Sequence, residues 1–222
     1  MRYESVLGSC GQGGARATVS EPAPPPWHAR TRIRLAGGAR DVRLAGVSTA
    51  EGLDVLRWQF RTAWSLGADV HFPALTDESC LWLPASGAWT VRRSRLGGWS
   101  ADWADQEPDP APPVTIAWLT WHLIWWWRDL LSRSSGGGPV SRDHAPWPGS
   151  ADAVRSAVWN LHAEWEAHLD QLTDEALEQP FTFPWPRPRP FVYTVAWCNA
   201  ELMKNIAEIG LLRHLHASRA ST

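Results

Sequence analysis

Two polar residues interrupt long apolar stretches and are the first candidates for chemistry: His122 within VTIAWLTWHLIWWW and Glu201 within VAWCNAELMKNIAEIGLL. The apolar positions of both stretches recur at helical spacing, so both side chains project among apolar neighbours. Removing an ionised carboxylate from water costs several kcal/mol unless it is paired. Glu201 therefore needs a cation, a hydrogen-bond donor or a raised pKa. An imidazolium at His122 would satisfy it, and so would a divalent metal held between the two. Asn205, four residues after Glu201 on the same helical face, offers a further oxygen. His122, Glu201 and Asn205 are thus a candidate metal set, because bundle cores build metal sites from His and carboxylate side chains on facing helices. Without a metal, His122 and Glu201 make a base and its orienting carboxylate. The plain alternative for His122 is a hydrogen-bonded core residue.

Four tryptophans stand about one helical turn from the pair: Trp118, Trp125 and Trp126 near His122, and Trp197 before Glu201. They could wall a pocket for a flat or apolar ligand, or simply pack the core. The chain carries 17 Trp against 2 Tyr and 5 Phe, so both uses are open. Cys198 adjoins this face but turns away from Trp197 by about 100°, which disfavours it as a nucleophile. His162 and Glu166, spaced i and i+4, suggest a surface pair. The basic, proline-dense PWPRPRP suggests a solvated loop, with contact to an acidic cofactor or a partner as the alternative.

Positioning these residues requires long helices. The first follows Ser48 and Thr49 and ends near Gly67, with Leu53, Leu56, Phe60, Ala63 and Trp64 on one stripe. LTDE at 75–78 opens one capped turn, after which an irregular loop runs to Pro113. The second helix starts after Pro113, is apolar nearly all round as a central helix must be, and stops at GGG 136–138. The third starts at the Ser150 cap and is amphipathic, with Val154, Val158, Leu161, Trp165 and Leu169 on one stripe. A second LTDE at 172–175 opens another capped turn, a proline-dense stretch follows, and the last helix runs through HLHASR.

An internal echo sets the register. Thr115-Ile-Ala-Trp and Thr194-Val-Ala-Trp lie 79 residues apart and the two LTDE turns 97 apart, so a helical hairpin is duplicated with loops of different length. Two such hairpins about a pseudo-twofold axis make an all-α, up-down-type four-helix bundle over residues 47–222, with His122 facing Glu201. Residues 1–46 are a Gly/Pro-rich arm expected to be disordered, in which RIRLAG and RDVRLAG alternate weakly as short strands.

Composition bounds the rest. A chain of 222 residues with 44% apolar residues and a formal charge of −2 can bury a core but lacks the excess of cations that holds nucleic acid. No segment reaches the roughly 18 apolar residues of a membrane span, and the first residues lack a secretory pattern. Cys10, Cys80 and Cys198 are odd in number and form no paired ligand motif, which fits reduced thiols and a cytoplasmic location.

LTDESCLWLPASGAWTVR after the first helix, PDPAPPVTIAWLTWHL leading to His122, and NAELMKNIAEIGLLRHLH in the last helix, in this order, resemble the DinB-like family over roughly residues 50–217. The resemblance implies a four-helix bundle related to transferases that use mycothiol or bacillithiol. It implies a divalent metal, zinc or nickel, held by a His on helix 2 and an H-x-x-x-H on helix 4, with a low-molecular-weight thiol bound as thiolate. His122 matches the first ligand; Glu201 and Asn205 replace the other two, and an amide is a poor donor to zinc. Weak metal binding, a harder ion and loss of the metal all remain open. The function implied is a small-molecule S-transferase in detoxification or specialised metabolism. The alternatives are a non-catalytic binding bundle, or a metal-independent hydrolase or isomerase using the His–Glu pair. Homodimers are common in the family, so a homodimer is the oligomer in question.

Overall fold

A computed structural model describes residues 49–95, 97–106 and 108–219. The arm at 1–46 and its two weak strand runs lie outside the described residues. In chain order the elements are α1 (Thr49–Ala63), the short α2 (Asp77–Leu81), α3 (Ile116–Ser134), α4 (Ala151–Gln171), the short α5 (Asp174–Glu178) and α6 (Phe191–Arg219). Two small antiparallel ribbons, β1 (Val91–Arg93) with β2 (Trp99–Ala101) and β3 (Pro180–Phe181) with β4 (Arg189–Pro190), decorate the loops. The chain is the all-α bundle that its periodicity indicates.

Hydroxyl caps start the helices, at Ser150 and in the two LTDE turns as expected and at Thr115 in addition. The hydroxyls of Thr76, Thr115, Ser150 and Thr173 each accept an N–H from the first turn of α2, α3, α4 and α5 respectively. In the first LTDE, Ser79 completes the cap by accepting the Thr76 N–H. Gly67, expected to end helix 1, does not. Winding continues through a π-helical turn at Trp64–Ala68, one α turn at Asp69–His71 and a 3-10 turn at Phe72–Ala74. Glycine is needed there because a Cβ would stand 2.5 Å from Ile206 Cγ2, so α1 and α6 could not come so close.

Side-chain pairs fix the helix directions. Asn199 meets Leu56 and Gln59, Gly67 meets Ile206 and His71 meets Gly210, so α1 and α6 run parallel. Arg61 pairs with Glu166 at 3.0 Å while Arg155 donates to the Leu75 carbonyl, so α1 and α4 are antiparallel. His122 meets Asn205 and Trp126 meets Trp197, which makes α3 and α6 antiparallel too. The first two long helices, α1 and α3, stand diagonally and meet across the core through Trp127, edge-on to Phe60 at 6.0 Å and Trp64 at 6.4 Å. Full burial of side chains this large stabilises the fold by about 1.5–3 kcal/mol each.

With α3 and α4 pointing the same way, residues 135–150 must return along the whole length of α3. Indole N–H groups fasten that return: Trp125 Nε1 donates to the Val140 carbonyl at 2.9 Å and Trp121 Nε1 to Ala145 at 2.8 Å. Trp147 Nε1 donates back to Thr120 Oγ1 at 3.0 Å, and Asp129 Oδ1 accepts the Val140 N–H. The 82–114 connection, expected to be irregular, includes the β1–β2 ribbon. Only Val91 of β1 is buried, with Arg92 and Arg93 exposed after it, too short a run to stand out in the sequence, and Gly97 and Gly98 turn the ribbon at positive φ. Trp118 Nε1 ties this loop to α3 through the Asp102 carbonyl at 2.7 Å.

No helix among the described residues is long and apolar enough to cross a membrane.

Candidate functional site

Two helix starts place the site. Thr115 caps α3, which puts His122 two turns into the helix, whereas Thr194 lies inside α6 and donates to the Phe183 carbonyl at 2.8 Å. The two echo threonines therefore do different local work. Across the α3–α6 contact, His122 meets the residue one turn beyond Glu201: His122 Nδ1 lies 3.2 Å from Asn205 Oδ1. Glu201 joins through Asn205, whose Nδ2 donates to Glu201 Oε1 at 3.0 Å and to the Glu201 carbonyl at 2.7 Å. Lys204 closes the set with Nζ 2.7 Å from Glu201 Oε1.

This arrangement supplies the carboxylate with a cation and orients the imidazole. Glu201, 12% exposed at its side chain, finds its required cation in Lys204 rather than in His122. Lys204 is a residue that sequence reasoning passed over, although its i, i+3 spacing from Glu201 could have identified it. Both amide hydrogens of fully buried Asn205 point at Glu201, so its Oδ1 is left to face His122 and must accept from Nδ1–H. The neutral imidazole then presents an unprotonated Nε2, which no hydrogen bond among the described residues engages. Burial lowers the His122 pKa below its ordinary 6.5 and Lys204 adds to this, against the opposing pull of Glu201 and of the Asn205 bond.

The tryptophans separate into two groups. Trp118 stacks on His122 at 5.2 Å and 8°, and Trp125 tilts against it at 6.1 Å. Trp103, just after β2, completes this wall: it stacks on Trp118 at 6.5 Å and meets Trp125 edge-on at 5.7 Å. Arg142 lies over Trp103 at 4.5 Å and pairs with Asp105. Trp126 and Trp197 pack edge to face with each other at 5.2 Å, a turn further along the α3–α6 seam, and Trp126 is 2% exposed. No sequence signal pointed to Trp103 or Arg142, because loop residues have no periodicity to place them.

The donors do not fit a tetrahedral or octahedral metal as they stand. Asn205 Oδ1 faces His122 Nδ1 and Glu201 Oε1 is held by the Lys204 ammonium, which leaves His122 Nε2 and Glu201 Oε2 as the donors of this set that no hydrogen bond among the described residues engages, too few for either geometry. Among the described residues no three His, Cys, Asp or Glu side chains gather in a metal-binding cluster.

Other candidates fall elsewhere. Burial, with Glu201 adding to it, holds the Cys198 thiol well above its ordinary pKa, and burial likewise pushes Cys80 up to about 12; both stay protonated. His162 is not on the surface as its spacing suggested. Its side chain is 17% exposed and its ring lies against Phe60 at 5.2 Å and Trp64 at 3.9 Å, with Glu166 3.9 Å from Nδ1. The π-helical turn widens α1 at Trp64, where this contact is made. In PWPRPRP, Arg189 lies over Trp185 at 4.8 Å and Tyr193 at 5.7 Å. An open cleft of about 510 Å³ between the C-terminal half of α3 and α4, lined by Arg128, Ser132, Glu164 and His168, is remote from His122.

Comparison with known proteins follows the geometry. No curated protein matches the chain. A conserved protein of Enterococcus faecalis with a crystal structure is similar over 80% of this chain and 98% of its own, at 13% identity and a TM-score of 0.44. The sequence profile of the DinB superfamily matches residues 59–209, more than half of the chain and all four long helices in whole or in part. The chain belongs to the DinB superfamily.

Proposed function

We propose that this protein is a metal-independent, small-molecule enzyme of the DinB superfamily in which His122 Nε2 removes a proton from a low-molecular-weight thiol. One observation carries the reading: Asn205, locked by Glu201, accepts from His122 Nδ1 and leaves Nε2 as an acceptor on a ring whose burial keeps it neutral near pH 7. The S–H proton passes to Nε2, the sulfur forms a C–S bond to an electrophilic carbon, and the imidazolium returns the proton to the departing or ring-opened group. Glu201 and Lys204 do not touch the reacting atoms; they hold Asn205 and are positioning residues. Trp118, Trp125 and Trp103 offer flat apolar faces to the electrophile.

The test is conjugation of a small thiol to 1-chloro-2,4-dinitrobenzene, followed with and without a strong chelator. Activity that survives the chelator and is lost in His122→Gln supports the reading. Activity restored by zinc after chelation, or retained in His122→Gln, contradicts it. Saturable binding of the aromatic probe with no turnover across a panel of thiols would favour a binding bundle, for which the tryptophan wall is the supporting observation.

A further inference from the structure

Of the Asp, Glu and Arg side chains on α3 and α4, all but two are ion-paired. Asp129 meets Arg133 at 2.8 Å, Asp152 meets Arg155, Glu166 meets Arg61 at 3.0 Å and Asp170 meets Arg57 at 3.7 Å. Arg128 and Glu164 are left, and neither makes an ion pair or a side-chain hydrogen bond with any described residue. Both line the open cleft of about 510 Å³ between the two helices.

The two unpaired charges stand opposite each other. Phe60 touches both Trp127 at 6.0 Å and His162 at 5.2 Å, and Trp64 touches the same two rings, so Trp127 and His162 are level. With α3 and α4 pointing the same way, Arg128 is then level with Glu164, Ser132 with His168, and Ser135 with Gln171. The cleft between the helices keeps Arg128 and Glu164 from closing on each other.

Another wall residue is also incompletely satisfied. His168 Nε2 is buried and has no hydrogen-bond partner among the described residues, while its ring is held by stacking on Trp165 at 5.4 Å and edge contact with Phe191 at 6.1 Å. Buried polar atoms are nearly always paired, so an orphan on a cleft wall points to a group that comes from outside. Burial lowers the pKa of this imidazole below its ordinary 6.5, so the neutral ring offers one donor and one acceptor nitrogen.

We infer that this cleft is a second small-molecule site, for a free α-amino acid with a polar side chain. The ligand carboxylate takes the Arg128 guanidinium, whose planar fork matches it in two parallel bonds, and the ligand ammonium takes the Glu164 carboxylate. One molecule thereby pairs two charges that the protein leaves unpaired. From the level of Arg128 to that of Ser135 the cleft runs about 10 Å at 1.5 Å per residue, so a side chain of several atoms lies past Ser132 and His168 toward Gln171. The volume is within the roughly 300–1,000 Å³ of small-molecule sites. This site is separate from His122 and does not depend on the catalytic proposal.

Calorimetry and proton–nitrogen correlation spectra of the full chain test it, with L-glutamine as the first probe. Saturable binding with a Kd on the order of 0.1–1 mM is expected for a ligand of this size, shifting the His168 ring resonances and leaving those of His122 in place. Glutaramic acid lacks the ammonium and 4-aminobutanamide lacks the carboxylate; each is expected to bind at least about tenfold more weakly. Arg128→Gln and Glu164→Gln, both at exposed positions, are expected to weaken glutamine by a similar factor with an unchanged thermal melt. Failure of all twenty common amino acids to bind overturns the inference. Binding that both variants leave intact, equal affinity for either analogue, or shifts confined to His122 overturn it as well.

Discussion

Replacing Gly67 by alanine tests how closely α1 and α6 must approach. The added Cβ would lie 2.5 Å from Ile206 Cγ2, below the 3.0 Å that such contacts respect. Ile206 is 3% exposed, and its β-branch leaves few rotamers to escape into. Relief therefore means moving the helices apart by roughly 1 Å, and overpacking of this kind costs about 1–3 kcal/mol. Against this stands the helix propensity of Ala, about 1 kcal/mol over Gly in an ordinary helix interior. Gly67 lies in a π-helical turn, so that gain is incomplete and the clash wins. Gly67→Ala is expected to be less stable by about 1–2 kcal/mol, lowering Tm by about 2–8 °C, measured by urea and thermal unfolding followed by tryptophan fluorescence. Ile206→Leu removes the Cγ2 methyl at the point of collision. The double variant should recover at least half of the loss, whereas Ile206→Leu alone costs less than about 1.5 kcal/mol. Gly67→Ala with wild-type or higher stability, or a double variant with purely additive loss, refutes the close-approach explanation.

Trp121→Phe keeps an aromatic ring, smaller than indole, and removes the N–H that the Ala145 carbonyl accepts. It should cost about 1–3 kcal/mol and speed hydrogen exchange selectively across residues 139–147; uniform exchange along the chain would contradict the fastening role of the indoles. The pKa of His71, His122, His162 and His168 is lowered, by burial first in each case. Unfolded histidines then bind protons near pH 6.5 while folded ones do not, so stability falls as pH drops from about 6.5 toward the lower folded values. Tm should decline between pH 7.5 and 5.5, and a flat or rising Tm would contradict it. In the conjugation assay, activity should need neutral His122 and so fall only at a pH below 6.5, and an inflection above 6.5 would contradict a base of lowered pKa.

The helices and their caps were legible because local chemistry decides them. Thr76, Ser150 and Thr173 act within one turn of their own positions, the apolar stripe of α4 repeats at helical spacing, and α3 is apolar nearly all round. Gly67 misled because a glycine that ends a helix and one that lets two helices touch look alike until the neighbour, Ile206, is known. The His122 contact was placed one turn off for a related reason. The echo of Thr115 in Thr194 aligns sequences, but Thr115 caps α3 while Thr194 sits inside α6, so the α3–α6 contact pairs His122 with Asn205 rather than directly with Glu201. His162 looked like a surface residue because an i, i+4 pair with Glu166 says nothing of Phe60 and Trp64 arriving from α1. Trp103 and Arg142 come from loops held by indole N–H bonds to carbonyls, and those bonds leave no periodic trace.

The central assignment is a neutral His122 held with its proton on Nδ1 by Asn205, without a metal. Long-range proton–nitrogen correlation spectra of the His122 ring measure both parts at once, recorded across pH and again after zinc is added in stoichiometric amount. The assignment predicts a protonated Nδ1 and unprotonated Nε2 near pH 7, titration below pH 6.5, and nitrogen shifts unmoved by zinc. A proton on Nε2, a pKa at or above 6.5, or a zinc-induced shift at Nε2 would contradict it.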